Sequence, residues 1–509
     1  MDQINIDITV PGSKSITNRA LLIAALAEGT TTLSGICLND DSRVFLEAIK
    51  TLGFDVSLPE SIKGSEGSKD CDNVDVTSAT GTLDSLVITG TGGVIPIKKC
   101  DVYVGSAGTA ARFLTAMMGL SDGCYEVTSS EQMKVRPMRE LLEALEIMGA
   151  EFDFHEEEYS FPFTVRGRSF HKRDETGTDT SSSPVQTVPL NIDRSSQFLS
   201  ALLLCGPMVK EGFAIELTGT RTARSYVDIT MRMMSDFGCP VERDDLPGSG
   251  AYSSGDSFTS ADEDADSEND NTGKDRYIVP SGSAYAGRDY AIEPDVSSAC
   301  YFYACAVLNR GKAIVRGVHA DSMQGDIKFI ELLKEKGLDV IDTTDGVLLD
   351  ATSFSRGNDT LTPEEKAYSD DIHIPLQGFD VNMSDYSDQT MTLACMAPML
   401  SSPTTITGIA HIRGQESNRI AAIVTEMKRI GIKAEELPDG LKIYPIEQET
   451  YDRLVSGGSE KVTIETYNDH RIAMSFAILG TVLPGLVIDN PGCCAKTFPD
   501  FFDKLNLLF

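Results

Sequence analysis

Apolar residues recur along the chain with the 3.6-residue period of helices that bury one face. Val44, Ala48, Ile49 and Leu52 form one such stripe, Met138, Leu141, Leu145 and Met148 another, and Ile420, Ile423, Met427 and Ile430 a third. A glycine follows each stripe within one or two residues, and a short strand-like segment follows the glycine. Gly53, Gly149, Gly238, Gly337 and Gly431 repeat this arrangement about 90 to 100 residues apart. Glycine there predicts a left-handed helix cap, since it has no Cβ to oppose a positive φ.

A second kind of helix is predicted between these, each opened by a polar cluster. The clusters are Gly12-Ser13-Lys14-Ser15, Gly105-Ser106-Ala107-Gly108-Thr109, Asp193-Arg194-Ser195-Ser196-Gln197, Pro294-Asp295-Val296-Ser297-Ser298, Ser384-Asp385-Tyr386-Ser387-Asp388 and Tyr467-Asn468-Asp469-His470-Arg471. Stretches such as 20–27 and 199–204 that follow them are apolar on most faces, as a helix in a domain interior must be. The pattern predicts an α/β protein of six units, three to a domain.

The chain has 509 residues, 41% hydrophobic and 24% charged, which suits a globular protein of two large domains or three small ones. Asp and Glu number 77 against 44 Lys and Arg, and the net charge of −33 repels nucleic-acid backbones and anionic lipid. No apolar run approaches the roughly 20 residues of a membrane span, and Met1-Asp2-Gln3 leads into a strand-like segment without a basic or apolar leader. A cytoplasmic protein without nucleic-acid or membrane partners is expected. Eleven cysteines without a CxxC pair fit reduced thiols, and six scattered histidines do not suggest a metal cluster. Residues 244–275 carry ten acids and one lysine among Ser and Gly, the composition of a solvated insertion; 59–73 and 169–187 are milder versions.

The helix starts carry cations: Lys14, Arg19, Arg112 and Arg471, with Lys134, Arg136, Arg413 and Arg419 opening outer helices. A cation at the positive end of a helix dipole costs roughly 0.3–1 kcal/mol, so structure alone would not repeat the choice. N–H groups, hydroxyls and guanidinium forks converging from several units describe a site for phosphate and carboxylate. Nucleotide signatures are missing: Gly90-Thr91-Gly92 fails GxGxxG because Ile95 stands at the last position, and Gly311-Lys312-Ala313 lacks the Walker spacing.

Pro11-Gly12-Ser13-Lys14-Ser15-Ile16-Thr17-Asn18-Arg19, Gly105-Ser106-Ala107-Gly108-Thr109-Ala110-Ala111-Arg112, Met133-Lys134-Val135-Arg136-Pro137, Ser195-Ser196-Gln197-Phe198, Tyr467-Asn468-Asp469-His470-Arg471 and Ala495-Lys496-Thr497-Phe498-Pro499 together resemble the 5-enolpyruvylshikimate-3-phosphate synthase family, from about residue 8 to 503. The resemblance implies two similar inside-out domains, each of three βαβαββ units with buried helices and outer sheets. They would comprise residues 14–289, including the insertion at about 244–275, and residues 1–13 plus 290–509, with the first strand completing the C-terminal domain. It implies a transferase of the shikimate pathway, serving chorismate and aromatic amino acid biosynthesis. The enolpyruvyl group of phosphoenolpyruvate passes to the 5-hydroxyl of shikimate 3-phosphate, and phosphate leaves.

By the same resemblance, Ser15, Arg19, Ser195, Ser196, Gln197, Tyr226, Asp388 and Gln415 hold shikimate 3-phosphate, and Lys14, Gly108, Arg136, Gln197, Arg419, Arg471 and Lys496 hold phosphoenolpyruvate. Asp388 would take the hydroxyl proton and Glu416 would serve proton transfer at C3, a task that suits a carboxyl with raised pKa. Lys14 and Lys496 would assist the departing phosphate. No metal and no organic cofactor is implied, and a monomer is expected. His470 reads as an orienting or capping residue, and Cys493-Cys494 as structural thiols.

Three positions depart from the family pattern: Ala223 stands where a phosphate-binding Ser is usual, His411 replaces a frequent Asn, and Gln415 replaces a frequent Lys. Two alternatives stay open. A sister transferase moves enolpyruvyl to a UDP-sugar, but its first motif differs and its loop cysteine has only Cys124 as a counterpart here. A non-catalytic phosphometabolite-binding protein would explain Ala223 and Gln415 but not Asp388, Glu416 and Lys496.

Overall fold

The computed structural model describes residues 4–58, 81–169, 186–219, 225–244, 275–355, 372–455 and 461–509. The remainder takes in Ala223, all of 59–73, and 169–187 and 244–275 apart from their ends, so the readings made there lie outside the described residues. Among the described residues, five four-stranded sheets share one topology. In one, Lys99–Tyr103 runs parallel to Cys124–Thr128, which pairs antiparallel with Phe163–Arg166, and that strand pairs antiparallel with Glu151–Phe154. The buried helix Gly108–Gly119 connects the first two strands and the amphipathic helix Arg139–Ile147 follows the second, which is the βαβαββ order. The sixth sheet is shorter, with two parallel strands, Val462–Ile464 and Leu486–Ile488.

The polar clusters do open interior helices: Lys14–Leu26, Gly108–Gly119, Gln197–Leu204, Val296–Leu308 and His470–Gly480, while Thr390–Met396 follows a 3-10 turn, Ser387–Gln389. Every residue of Gly108–Gly119 and of Val296–Leu308 is buried. Gly53, Gly149, Gly238, Gly337 and Gly431 end the amphipathic helices at φ of 91°, 101°, 90°, 94° and 91°.

The first strand is exchanged. Asn5–Ile8 pairs parallel with Lys312–Arg316, and Asp289–Ala291 pairs parallel with Glu28–Leu38. Where the two connections pass, Ser13 N donates to the Glu293 carbonyl and Asp295 N to the Pro11 carbonyl, both at 2.8 Å. Gly12 is required at this crossing, because a Cβ would lie 2.0 Å from the Gly35 carbonyl oxygen. One hydrophobic core draws on residues from Ile16 to Ile292; the other draws on Ile6 and residues from Val296 to Leu505. The crossing therefore lies between the cores, and the helix starts face one another across it.

Candidate active site

A cavity of about 1090 Å³, open mouth included, lies between these helix starts. Its lining brings together Lys14, Ser15, Arg19, Gly108, Arg136, Ser195, Ser196, Gln197, Tyr226, Asp388, Gln415, Glu416, Arg419, Arg471 and Lys496, the whole set singled out from the sequence. His411 and His470 line it too. Eight Lys and Arg side chains face three carboxylates there. In a chain of net charge −33 this is a focused positive potential, the setting for a small polyanion.

The wall from the N-terminal half is cationic and nearly without carboxylates. Arg19 is 1% exposed and is held by neutral acceptors: Nε donates to Thr230 Oγ1 at 2.8 Å, Nη1 to the Ser15 carbonyl at 2.8 Å and Nη2 to the Tyr226 carbonyl at 3.0 Å. Burial pushes its pKa down to about 10. Arg112, also buried, donates to Gln197 Oε1 at 2.6 Å and to the Pro137 carbonyl at 2.8 Å. Burial and then the charge of Arg136 lower its pKa. Lys14 pairs with Asp41 at 3.1 Å, and Arg136 donates to the Ser106 carbonyl at 3.1 Å. Holding guanidinium groups together with so little counter-charge is costly, and a bound anion offsets it.

The wall from the C-terminal half carries the carboxylates. Asp388 accepts from Arg471 Nη2 at 2.8 Å, from Arg419 Nη1 at 3.2 Å and from the Tyr226 hydroxyl, which reaches across from the other half. Burial would raise its pKa, but Arg471 and Arg419 outweigh burial and hold it well below the usual carboxylate range. Glu416 lies 3.1 Å from His470 Nδ1 and 3.0 Å from Lys496 Nζ. Here the structure corrects the raised pKa expected of Glu416. Burial pushes the group up, yet His470, Lys496 and Lys14 bring it well below the normal value. His470 orients Glu416, and Asp469 caps the helix by accepting from the Arg471 backbone N–H at 3.0 Å. Gln415 is turned toward Arg419, whose Nη1 donates to its Oε1.

Glu416, Asp469 and His470 each bring one donor atom within 4.8 Å of the others, a spacing that would suit a metal ion. The carboxylates are already paired with Lys496 and with Arg419, at 3.0 and 2.8 Å, and those charges oppose a further cation.

Asp41, Ser387 and Arg194 line the cavity without having been singled out as site residues from the sequence. Ser387 Oγ is 2.8 Å from His411 Nε2. Arg194 is exposed at the mouth, and among the described residues no hydrogen bond or ion pair holds it. Its signal was its place beside Ser195 and Ser196. Gly108 shows why a side chain is missing at its position: a Cβ would lie 2.6 Å from Arg112 Nη1, 2.9 Å from Arg136 Nη2 and 3.0 Å from Gln197 Oε1. Gly108→Ala is expected to displace these groups and to weaken binding of a small phosphorylated anion in the cavity about tenfold to a hundredfold, as measured by calorimetry.

The family model for EPSP synthase (3-phosphoshikimate 1-carboxyvinyltransferase) matches residues 1–251 and 264–505, and the gap falls inside the acidic stretch. A 3-phosphoshikimate 1-carboxyvinyltransferase of Nostoc sp. is 35% identical over 504 residues, covering 98% of this chain and 96% of its own. One from Burkholderia vietnamiensis is 33% identical over 506 residues, with the same two coverages. The solved structure of EPSP synthase from Acinetobacter baumannii aligns with a TM-score of 0.67 at 22% identity, over 99% of this chain and 96% of that one, and so shares the fold. With five of its six helix starts lining one cationic cavity and similarity running nearly end to end, the chain belongs to the EPSP synthase (3-phosphoshikimate 1-carboxyvinyltransferase) family.

Proposed function

We propose that this cavity carries out the family's reaction, transfer of the enolpyruvyl group from phosphoenolpyruvate to the 5-hydroxyl of shikimate 3-phosphate, with the roles divided between its two walls. The observation that carries this reading is the surplus of cations around Asp388 and Glu416, a site for two phosphates and two carboxylates next to two proton-transfer groups. Ser15, Arg19, Ser195, Ser196, Gln197 and Tyr226 hold shikimate 3-phosphate. Lys14, Gly108, Arg136, Arg419, Arg471 and Lys496 hold phosphoenolpyruvate. The substrate hydroxyl takes the place of the Tyr226 hydroxyl on Asp388, which removes its proton as the oxygen attacks C2. Anionic phosphoenolpyruvate offsets the charge of Lys14 and Lys496, so the pKa of Glu416 rises on binding and the group can pass a proton to C3. Glu416 takes a proton back from the C3 methyl as the bond from C2 to the phosphate oxygen breaks and the methylene re-forms, and Lys14 and Lys496 stabilise the leaving phosphate. No metal or organic cofactor enters this course.

Residues 14–289 and 1–13 plus 290–509 act as the two domains in this reading, which extends to a cytoplasmic monomer. The ten described cysteines, all free, and the net charge of −33 support it, and no described helix is long and apolar enough to cross a membrane. Phosphate release with phosphoenolpyruvate plus shikimate 3-phosphate, against phosphoenolpyruvate plus a UDP-sugar, tests the function. Release with the first pair alone is expected, and release with the second would move the chain to the sister transferase.

Arg194 belongs with the phosphate of shikimate 3-phosphate in this scheme, beside Ser195 and Ser196. Arg194→Ala is expected to weaken shikimate 3-phosphate about tenfold by calorimetry, the scale of one charged hydrogen bond. Binding of shikimate, which lacks the phosphate, should not change. Equal losses for both ligands would count against the contact.

A further inference from the structure

Asp326 is a buried carboxylate to which the reaction described above gives no task. It precedes the helix Ile327–Glu335 and borders a smaller cavity behind the main one, where Arg471 and Tyr226 line both spaces. Both its oxygens are engaged: Oδ2 accepts from Ser297 Oγ at 3.0 Å, and Oδ1 from Gln389 Nε2 at 2.8 Å. Gln389 is fully buried, and Thr392 Oγ1 donates to its Oε1 at 3.0 Å, which fixes the amide with its NH2 toward Asp326. Gln389 is the last residue of the turn Ser387–Gln389 that carries Asp388.

Resting on the reading of Asp388 as the base, we propose that Asp326 is its positioning residue: through Gln389 it holds the turn bearing Asp388, and its negative charge sustains the proton affinity of that base. A carboxylate gripped by Arg419 and Arg471 is a weak base, and a second negative charge nearby strengthens it. Burying a carboxylate here is expensive unless it is hydrogen-bonded, and Ser297 and Gln389 meet that need.

The groups facing Asp326 come from several elements. They are Tyr226 of the helix Ser225–Asp236, Asp295 and Cys300 at the helix Val296–Leu308, Asp388 of its turn and Arg471 of the helix His470–Gly480. Lys14 and His470 line the same small cavity. Burial first, and then Asp388, raise the Asp326 carboxyl to about 6 against the opposing charge of Arg471. Asp388 is held far lower. As pH falls through about 6, Asp326 therefore takes up a proton first, and the base loses its supporting charge. On this account the acidic limb of turnover belongs to Asp326 rather than to Asp388.

The test is the pH dependence of kcat, at saturating shikimate 3-phosphate and phosphoenolpyruvate, for the full chain and for Asp326→Asn and Gln389→Leu. Asparagine keeps the shape, with an acceptor for Gln389 and a donor for Ser297. Asp326→Asn is expected to lower kcat about tenfold, leave both KM values within about twofold and abolish the acidic limb, whose group lies near 6 in the free protein. Gln389→Leu removes a hydrogen bond that favours the ionised form, so its limb should move to higher pH. If Asp326→Asn does not fold, as judged by circular dichroism, the Gln389→Leu limb alone decides. An unchanged limb in either folded variant, or a loss expressed in KM rather than kcat, overturns the proposal. A parent chain without turnover on these substrates overturns the functional reading, and the proposal with it.

Discussion

Asp388→Asn is expected to lower kcat by about 100-fold or more, the usual scale for losing a positioned base, while both substrates still bind. The variant replaces the carboxylate that accepts from Arg471 at 2.8 Å and from Arg419 at 3.2 Å. Both guanidinium groups then lose a counter-charge and are freer to take an anion, so KM for phosphoenolpyruvate should stay level or fall. Steady-state kinetics separate the two effects. Near-normal turnover would remove Asp388 from the role of base.

The largest effect on stability is expected from Arg419→Ala. Arg419 is 2% exposed and is held by Asp469, itself fully buried, at 2.8 Å and by Asp388 at 3.2 Å. Removing it leaves two buried carboxylates short of their partner, which costs about 3–5 kcal/mol. Arg419→Lys keeps the charge but not the fork that spans both acids, and should fall between the two. Denaturant unfolding of the three proteins measures this. An unchanged midpoint for Arg419→Ala would mean that the Asp469 and Asp388 pairs do not anchor the C-terminal half.

The parts of the fold legible in the sequence are those written locally. The stripe ending at Ile430 and the cap at Gly431 lie within a few residues of each other, and the helix Arg419–Ile430 ends there. The strand exchange is not local. Nothing in Asn5–Ile8 or Asp289–Ala291 states which of two similar neighbours each will pair with, and only the resemblance placed the first strand in the C-terminal sheet. The site was legible as cations at helix starts, but its protonation states were not. Glu416 is held low by His470, 54 positions onward in the chain, and by Lys496, contacts that arise only when the fold brings those segments together. Asp326 escaped notice because an aspartate before a helix reads as an ordinary cap, yet it makes no side-chain cap hydrogen bond and turns instead to Gln389.

Addition of the shikimate 5-hydroxyl to phosphoenolpyruvate with proton transfer at C3 can be followed by running the reaction in ²H₂O and observing the vinyl methylene and inorganic phosphate by NMR. An enolpyruvyl ether formed one-to-one with phosphate and carrying solvent deuterium at C3 is expected, since that carbon becomes a methyl group before it returns to a methylene. Phosphate released without the ether, or an ether whose methylene carries no deuterium, would contradict this course.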